Sequence, residues 1–215
     1  MNFQLTTRDY IEFLNRAHAR IHADGAYITA LDAATGDGDH WTNLDKGFEK
    51  LLAMSDEMEG LSLFALFRKI GITMMSVIGG SSGVLYGTAY MEAAKVAKNL
   101  EVLQNQDVCN MLEAMGRGIM ERGKSEPGMK TMLDALHPAI MCYKECIAEG
   151  KSEMQTVTLV KQAAKDGAES TKDMEAIRGR AYYQGDKGVG HLDPGAVTMS
   201  YQIETLMDII TEIIA

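Results

Sequence analysis

The sequence predicts an all-α fold, and three observations lead there. Apolar residues recur at helical spacing along nearly the whole chain. Strict alternation of apolar and polar residues over five or more positions is hard to find. Only three prolines punctuate 215 residues. One domain, 1–215, is expected, because no linker, repeat or low-complexity run divides the chain.

Eight helices are read in order. Tyr10, Leu14, Ala17 and Ile21 form a stripe that predicts helix over 7–23, with Thr7 and Asp9 as start signals. Helices over 44–58 and 62–78 follow, the second opened by Ser62, and a fourth covers 85–99. Val108, Met111, Leu112, Met115 and Ile119 give 107–122, with Asp107 in its first turn. Leu136, Ile140, Tyr143 and Ile147 give 129–148, and Pro138 inside it is expected to kink the helix. A seventh spans 153–171. The last, 195–214, is the clearest, with Ile203, Leu206, Met207, Ile210, Ile213 and Ile214 on one side. Asp193-Pro194 marks its start, since the carboxylate caps and proline suits the first turn.

Composition narrows the function classes. Hydrophobic residues at 46% and charged residues at 24% describe an ordinary globular domain. The 16 methionines suit adaptable packing between helices. A net charge of −9 argues against a nucleic-acid partner, which needs a basic face. The three cysteines, Cys109, Cys142 and Cys146, are too few and odd in number for a disulfide framework and fit a reducing compartment. The start MNFQLTTRDYIEF has neither the basic region nor the apolar run of a signal peptide. No run of about 18 apolar residues predicts a membrane span. A cytoplasmic protein with no membrane partner is the expectation.

The chemistry is concentrated between helices. Four connections are rich in glycine and polar residues: 32–43, 79–83, 123–130 and 178–195. They follow the first, third, fifth and seventh helices. In an antiparallel up-and-down bundle such connections lie at the same end. Topology alone therefore gathers them.

In the first connection, Asp32, Asp37 and Asp39 lie close together with Gly36 and Gly38 between them. Hard divalent cations prefer carboxylate oxygens, and glycines let a short loop turn them inward. An EF-hand does not fit, because Thr42 stands where its glycine belongs and Phe48 where its glutamate belongs. A solvated turn is the plain alternative for such a motif. The second connection, Gly79-Gly80-Ser81-Ser82-Gly83, precedes a helix and can cradle an anion with backbone N–H groups. No Gly-Lys-Ser/Thr follows, so it is not a Walker loop. The third holds Gly123, Lys124, Glu126-Pro127-Gly128, Lys130 and Thr131, ahead of an apolar Met132-Leu133 wall. The fourth holds Arg178, Arg180, Lys187, His191, Asp193 and Gly195, and its length favours a functional or mobile role.

Histidines and the single tryptophan need separate weighing. His18 and His22 are four apart, as zinc ligands can be, but the sequence offers no adjoining third ligand and no HExxH pattern. His137, beside Pro138, reads as structural. His40 and His191 lie in the loops of interest. Trp41 either stacks on a base or covers the bundle end. No Ser-His-Asp or Cys-His arrangement is legible, and no general base for a bound hydroxyl stands out.

Four segments together carry a resemblance: GDGDHWTN (36–43), GGSSGVLYGT (79–88), RGKSEPGMKTM (122–132) and RGRAYYQGDKGVGHLDPG (178–195). In order and spacing they resemble the dihydroxyacetone kinase L-subunit family. The resemblance implies an eight-helix antiparallel barrel with ADP or ATP at one end. It implies two Mg2+ ions on Asp32, Asp37 and Asp39. Nucleotide contacts are implied at His40, Trp41, Thr42, Asn43, Ser81, Ser82, Gly123, Met132, Arg180, Asp193, Pro194 and Gly195.

In that family a separate K subunit holds dihydroxyacetone. In the stand-alone version an M-type phosphohistidine protein of the phosphoenolpyruvate phosphotransferase system recharges bound ADP. Two residues depart from the family pattern: Trp41 stands in place of a glycine, and Met129 in place of an acid. The alternatives are an ATP-dependent kinase subunit for another small ketose or polyol, and a nucleotide sensor that binds a transcription regulator.

Overall fold

A computed structural model describes residues 3–215. Ten α-helices carry the described chain: α1 (Thr7–Ala23), α2 (Gly25–Thr35), α3 (His40–Leu52), α4 (Ser55–Met58), α5 (Leu63–Val77), α6 (Gly80–Val96), α7 (Asn105–Gly123), α8 (Leu133–Ala148), α9 (Glu153–Ser170) and α10 (Pro194–Ile214). Two 3-10 turns, Thr171–Asp173 and Arg180–Tyr183, precede α10. No sheet occurs among the described residues; the single bridge there pairs Leu5 with Leu103. None of the described helices is long and apolar enough to cross a membrane.

The all-helical class therefore stands, and the expected count of eight does not. The span expected as helix over 44–58 breaks into α3 and the single turn α4. The helix α2 lies between the first two expected helices, and its last four residues take the start of the connection expected over 32–43. Its sequence, GAYITALDAAT, lacks a regular apolar stripe, so periodicity is silent there, and its N-cap Asp24 makes no side-chain cap bond.

Caps fix the ends of the long helices. Thr6, one residue before the expected Thr7, opens α1 in a capping box with Asp9: the Thr6 N–H donates to Asp9 at 2.8 Å. Ser62 caps α5 and Asp107 closes a capping box at α7, both at expected positions. Asp193 caps α10 by accepting from the Ala196 N–H at 2.7 Å, with Pro194 as the first helical residue. Pro138 lies within α8.

Contacts between helices run from α1 to α3, then α5, α6, α7, α8, α9 and α10, and back to α1. These helices thus close on themselves around one core. Tyr10, Phe48, Phe67, Tyr86, Tyr90 and Tyr143 are fully buried there. The tyrosine hydroxyls find partners, as buried phenols must: Tyr10 with Tyr90 at 3.3 Å, and Tyr86 with the Gln202 amide at 2.9 Å. Met58, Met74, Met111 and Met207 fill the gaps.

Helices α5 and α6 approach closely because of two small residues. A Cβ on Gly87 would stand 2.8 Å from the Gly71 carbonyl oxygen and 2.1 Å from Met75 Cγ. Cys109 and Cys146 are buried free thiols, and Cys142 is half-buried.

Candidate functional site

The four unusual connections meet. They line one cleft of about 660 Å³, open to solvent. Two of them are less loop-like than expected, and that matters for what they present. The GGSSG segment is the start of a helix: Gly79 caps, and Gly80 to Gly83 form the first turn of α6. Likewise Asp39 occupies the N-cap position of α3, and His40, Trp41, Thr42 and Asn43 are its first turn. The cleft therefore collects the beginnings of α3, α6 and α10. Each contributes backbone N–H groups that have no partner inside their helix, and a partial positive charge.

Asp32 reaches the cleft from the last turns of α2, while Asp37 and Asp39 come from the following turn. One carboxylate oxygen from each lies within 4.8 Å of the others. Asp32 is buried and accepts from the His40 N–H at 2.9 Å, which joins α2 to α3. Gly36 is required by this approach: a Cβ there would lie 2.7 Å from Asp32 Oδ1. Gly38 adopts a φ of +76°, open to glycine at little cost. Three convergent carboxylates on a short loop are the donor chemistry that magnesium prefers. The residues present therefore fit such an ion.

The cationic groups divide by role. Arg180 pairs with Asp37 at 2.7 Å, and both are substantially exposed. Such pairs contribute only about 0–1 kcal/mol, so this contact exchanges readily. Arg178 donates to the Lys124 carbonyl at 2.8 Å, tying the fourth connection to the end of α7. Lys130 is neither solvated nor free for phosphate. It is buried, and its ammonium donates to the carbonyls of Thr171 and His191. Desolvation holds its pKa below the usual lysine value, against the pull of Asp193 and Asp134. It clips together the two ends of the 171–193 segment. The Asp193 N–H donates to Thr171 Oγ1 at 2.9 Å and reinforces the clip. Burial pushes the Asp193 carboxyl up to about 7, opposed by the Ala196 N–H and by Lys130. Burial likewise lowers the pKa of His40, whose Nε2 lies 2.9 Å from Thr198 Oγ1 on α10.

Of the residues expected around a nucleotide, His40, Asn43, Ser81, Ser82, Gly123, Met132, Arg180, Asp193, Pro194 and Gly195 line the cleft. Trp41 and Thr42 do not line it. Trp41 turns to the opposite side of α3, where its indole N–H donates to the Ile21 carbonyl at 3.2 Å. Its ring covers Gly25, where a Cβ would stand 2.6 Å from Cε2. Of the two readings for Trp41, covering the bundle fits this geometry. Lys187 pairs with Glu175 at 2.8 Å, and the His191 side chain is exposed; neither lines the cleft.

Other lining residues escaped the sequence reading, among them Thr35, Arg122 and Ser125. Asp134 was also missed. It accepts from the Gly128 N–H and, at 2.7 Å, from the Thr131 N–H, and so shapes the third connection. The Thr131-x-x-Asp134 spacing, that of a capping box, was its available signal. Met129 sits in the same turn, where its sulfur accepts from the Glu126 N–H at 3.3 Å. A thioether is a weaker acceptor than a carboxylate, so this turn is held less firmly than an acid would hold it.

By fold and site, this is an all-helical protein whose cleft suits a polyanion carried with divalent cations. The DAK2 domain matches residues 34–208, and the chain belongs to that family. Among relatives, the ADP-binding subunit DhaL of the PEP-dependent dihydroxyacetone kinase of Escherichia coli (strain K12) is 30% identical over 202 residues, which are 94% of this chain and 96% of the relative. The ADP-binding subunit DhaL of PEP-dependent dihydroxyacetone kinase 1 of Listeria innocua is 33% identical over 197 residues, 92% of this chain and 93% of the relative. The crystal structure of the dihydroxyacetone kinase of C. freundii in complex with AMP-PNP and Mg2+ superimposes with a TM-score of 0.69 at 25% identity, over 92% of this chain and 33% of that one. The native form of that kinase gives 0.70 at 24% identity, over 92% of this chain and 34% of that one. This chain thus spans about a third of those kinase chains.

Proposed function

We propose that this protein is the ADP-binding subunit of a phosphoenolpyruvate-dependent dihydroxyacetone kinase. It takes a phosphoryl group from an M-type phosphohistidine protein onto bound ADP. It then presents that group to dihydroxyacetone on a separate K subunit, in the cytoplasm. The observation that carries the reading is the meeting of Asp32, Asp37 and Asp39 with the starts of α6 and α10 and with Arg180 in one cleft. The relatives named as ADP-binding subunits match over almost their whole length, which supports a subunit of that kind.

Each part has an assigned task. Asp32, Asp37 and Asp39 hold the magnesium ions. When bound, these ions neutralise phosphate charge, the main requirement in phosphoryl transfer. Backbone N–H groups at Ser81 and Ser82 receive phosphate oxygens. Arg180 leaves its weak pairing with Asp37 and turns to the phosphates. Met132 and Leu85 supply an apolar wall for the base. The segment carrying Arg180 also exposes Ile177, Tyr182, Tyr183 and Val189 beside the cleft, a surface suited to the K subunit. We assign the ring α1, α3, α5, α6, α7, α8, α9 and α10 as the family's eight-helix barrel, with α2 and α4 as additions.

The test is the small-molecule and metal content of extensively dialysed protein after denaturation. Stoichiometric ADP with magnesium, recharged by a phosphorylated M protein, is the expected result. Protein that is isolated empty, exchanges ATP quickly and serves a K partner would replace this reading with the ATP-dependent one. That version has its own support in the 30% identity to the mouse triokinase/FMN cyclase, of which this chain matches 32%.

A further inference from the structure

A second group of ligand-type side chains lies on the other side of α3 from the cleft. His18 and His22 share a face of α1, and folding brings Asp45 of α3 to them. Asp45 Oδ1 lies 3.0 Å from His18 Nε2 and 2.9 Å from His22 Nδ1. The third ligand that the sequence lacks beside the two histidines is thus supplied by another helix.

We propose that His18, His22 and Asp45 form a binding site for a divalent transition metal, with zinc as the ion best suited. All three donor atoms lie within 4.8 Å of one another. Zinc holds nitrogen and oxygen ligands at about 2.0–2.2 Å. A tetrahedral arrangement then separates them by roughly 3.3 Å, by that geometry. The two nitrogen–oxygen separations, 3.0 and 2.9 Å, need to widen by only a few tenths of an ångström to admit the ion, displacing the protons now shared with the carboxylate.

Two further features favour a built site. Asp45 is buried at 7% exposure, so its position is fixed, and the His18 ring stacks on buried Phe48. The His22 side chain is 57% exposed, which leaves a way in and a position for water. Imidazole nitrogens also select against magnesium, so this site and the carboxylate cluster in the cleft take different ions. A filled site fastens α1 to α3, the helix whose first turn lines the cleft.

Trp41 is a natural reporter, since its ring centre lies 6.1 Å from that of His22 and it is the only tryptophan. The protein is stripped with chelator and saturated with Mg2+ and ADP. It is then titrated with Zn2+ by calorimetry, and with the quencher Ni2+ by Trp41 fluorescence. One equivalent of Zn2+ and a saturable loss of fluorescence are expected. Losing a supporting partner of a metal ligand already lowers affinity about 10–100-fold. His22→Ala and Asp45→Asn, each removing a ligand, should therefore weaken Zn2+ at least tenfold. Circular dichroism establishes that both variants fold, and exposed His22 carries little packing. Absence of Zn2+ binding to the wild type overturns the site. Unchanged affinity in Asp45→Asn reduces it to a surface histidine pair and overturns the three-ligand assignment.

Discussion

At the scale of single residues, the cleft separates groups that act from groups that support. Asp37 and Asp39 are exposed, Asp37 in a weak pair with Arg180, and one carboxylate oxygen of each lies within 4.8 Å of Asp32. Replacing either by alanine removes a proposed ligand without opening the core. Asp37→Ala and Asp39→Ala should therefore lose nucleotide and magnesium together, while helix content by circular dichroism stays that of the wild type. Retained magnesium and nucleotide in both variants would falsify the metal assignment. Trp41 behaves in the opposite way. Its indole N–H bond to Ile21 lies outside the cleft, and such a bond contributes about 1 kcal/mol. Trp41→Phe should lower stability by about that much, read as a shift in denaturant midpoint, and leave nucleotide retention within roughly twofold. A large loss of nucleotide would return Trp41 to the site.

At the scale of elements, close approach of helices positions the cleft walls. Helix α6 begins in the cleft and packs on α5 through Gly71 and Gly87. An added methyl at Gly87 meets Met75 and a backbone oxygen, and the oxygen cannot move away as a side-chain end can. Overpacking of this kind costs about 1–3 kcal/mol. For a chain of this size, 1 kcal/mol moves Tm by roughly 2–4 °C. Gly87→Ala should accordingly melt several degrees lower, and an unchanged Tm would mean that α5 and α6 separate freely. The 171–193 segment illustrates a second kind of control. It has little regular structure, yet Lys130 and Thr171 fasten its two ends, so the residues between them form a bounded loop over the cleft.

At the scale of the whole molecule, ligand and fold are linked. The cleft joins α2, α3, α6, α7 and α10 with the 171–193 segment. A ligand bound there stabilises only the folded chain. At a ligand concentration a hundredfold above Kd this amounts to about 2.7 kcal/mol. Removing nucleotide and magnesium with chelator should lower Tm by several degrees, and adding both back should restore it. Calorimetry that gives equal Tm values for loaded and stripped protein would argue that the cleft binds neither.

The sequence by itself determined the helical class, since a period of 3.6 in apolar residues leaves one type of element. It also marked the caps at Ser62, Asp107 and Asp193, because capping is local chemistry between residues three apart. It even collected the four connections at one end, through the alternation of helix directions. Local pattern had no access to four other features. Helix α2 forms without an apolar stripe of its own. Nothing local marks Lys130 as buried until the carbonyls of Thr171 and His191, far along the chain, close around it. The indole of Trp41 chose the side of α3 away from the cleft because Gly25 leaves room there. Asp45 likewise met His18 and His22 only when α1 packed on α3. Each of these depends on residues distant in sequence, and only the tertiary structure brings such residues together.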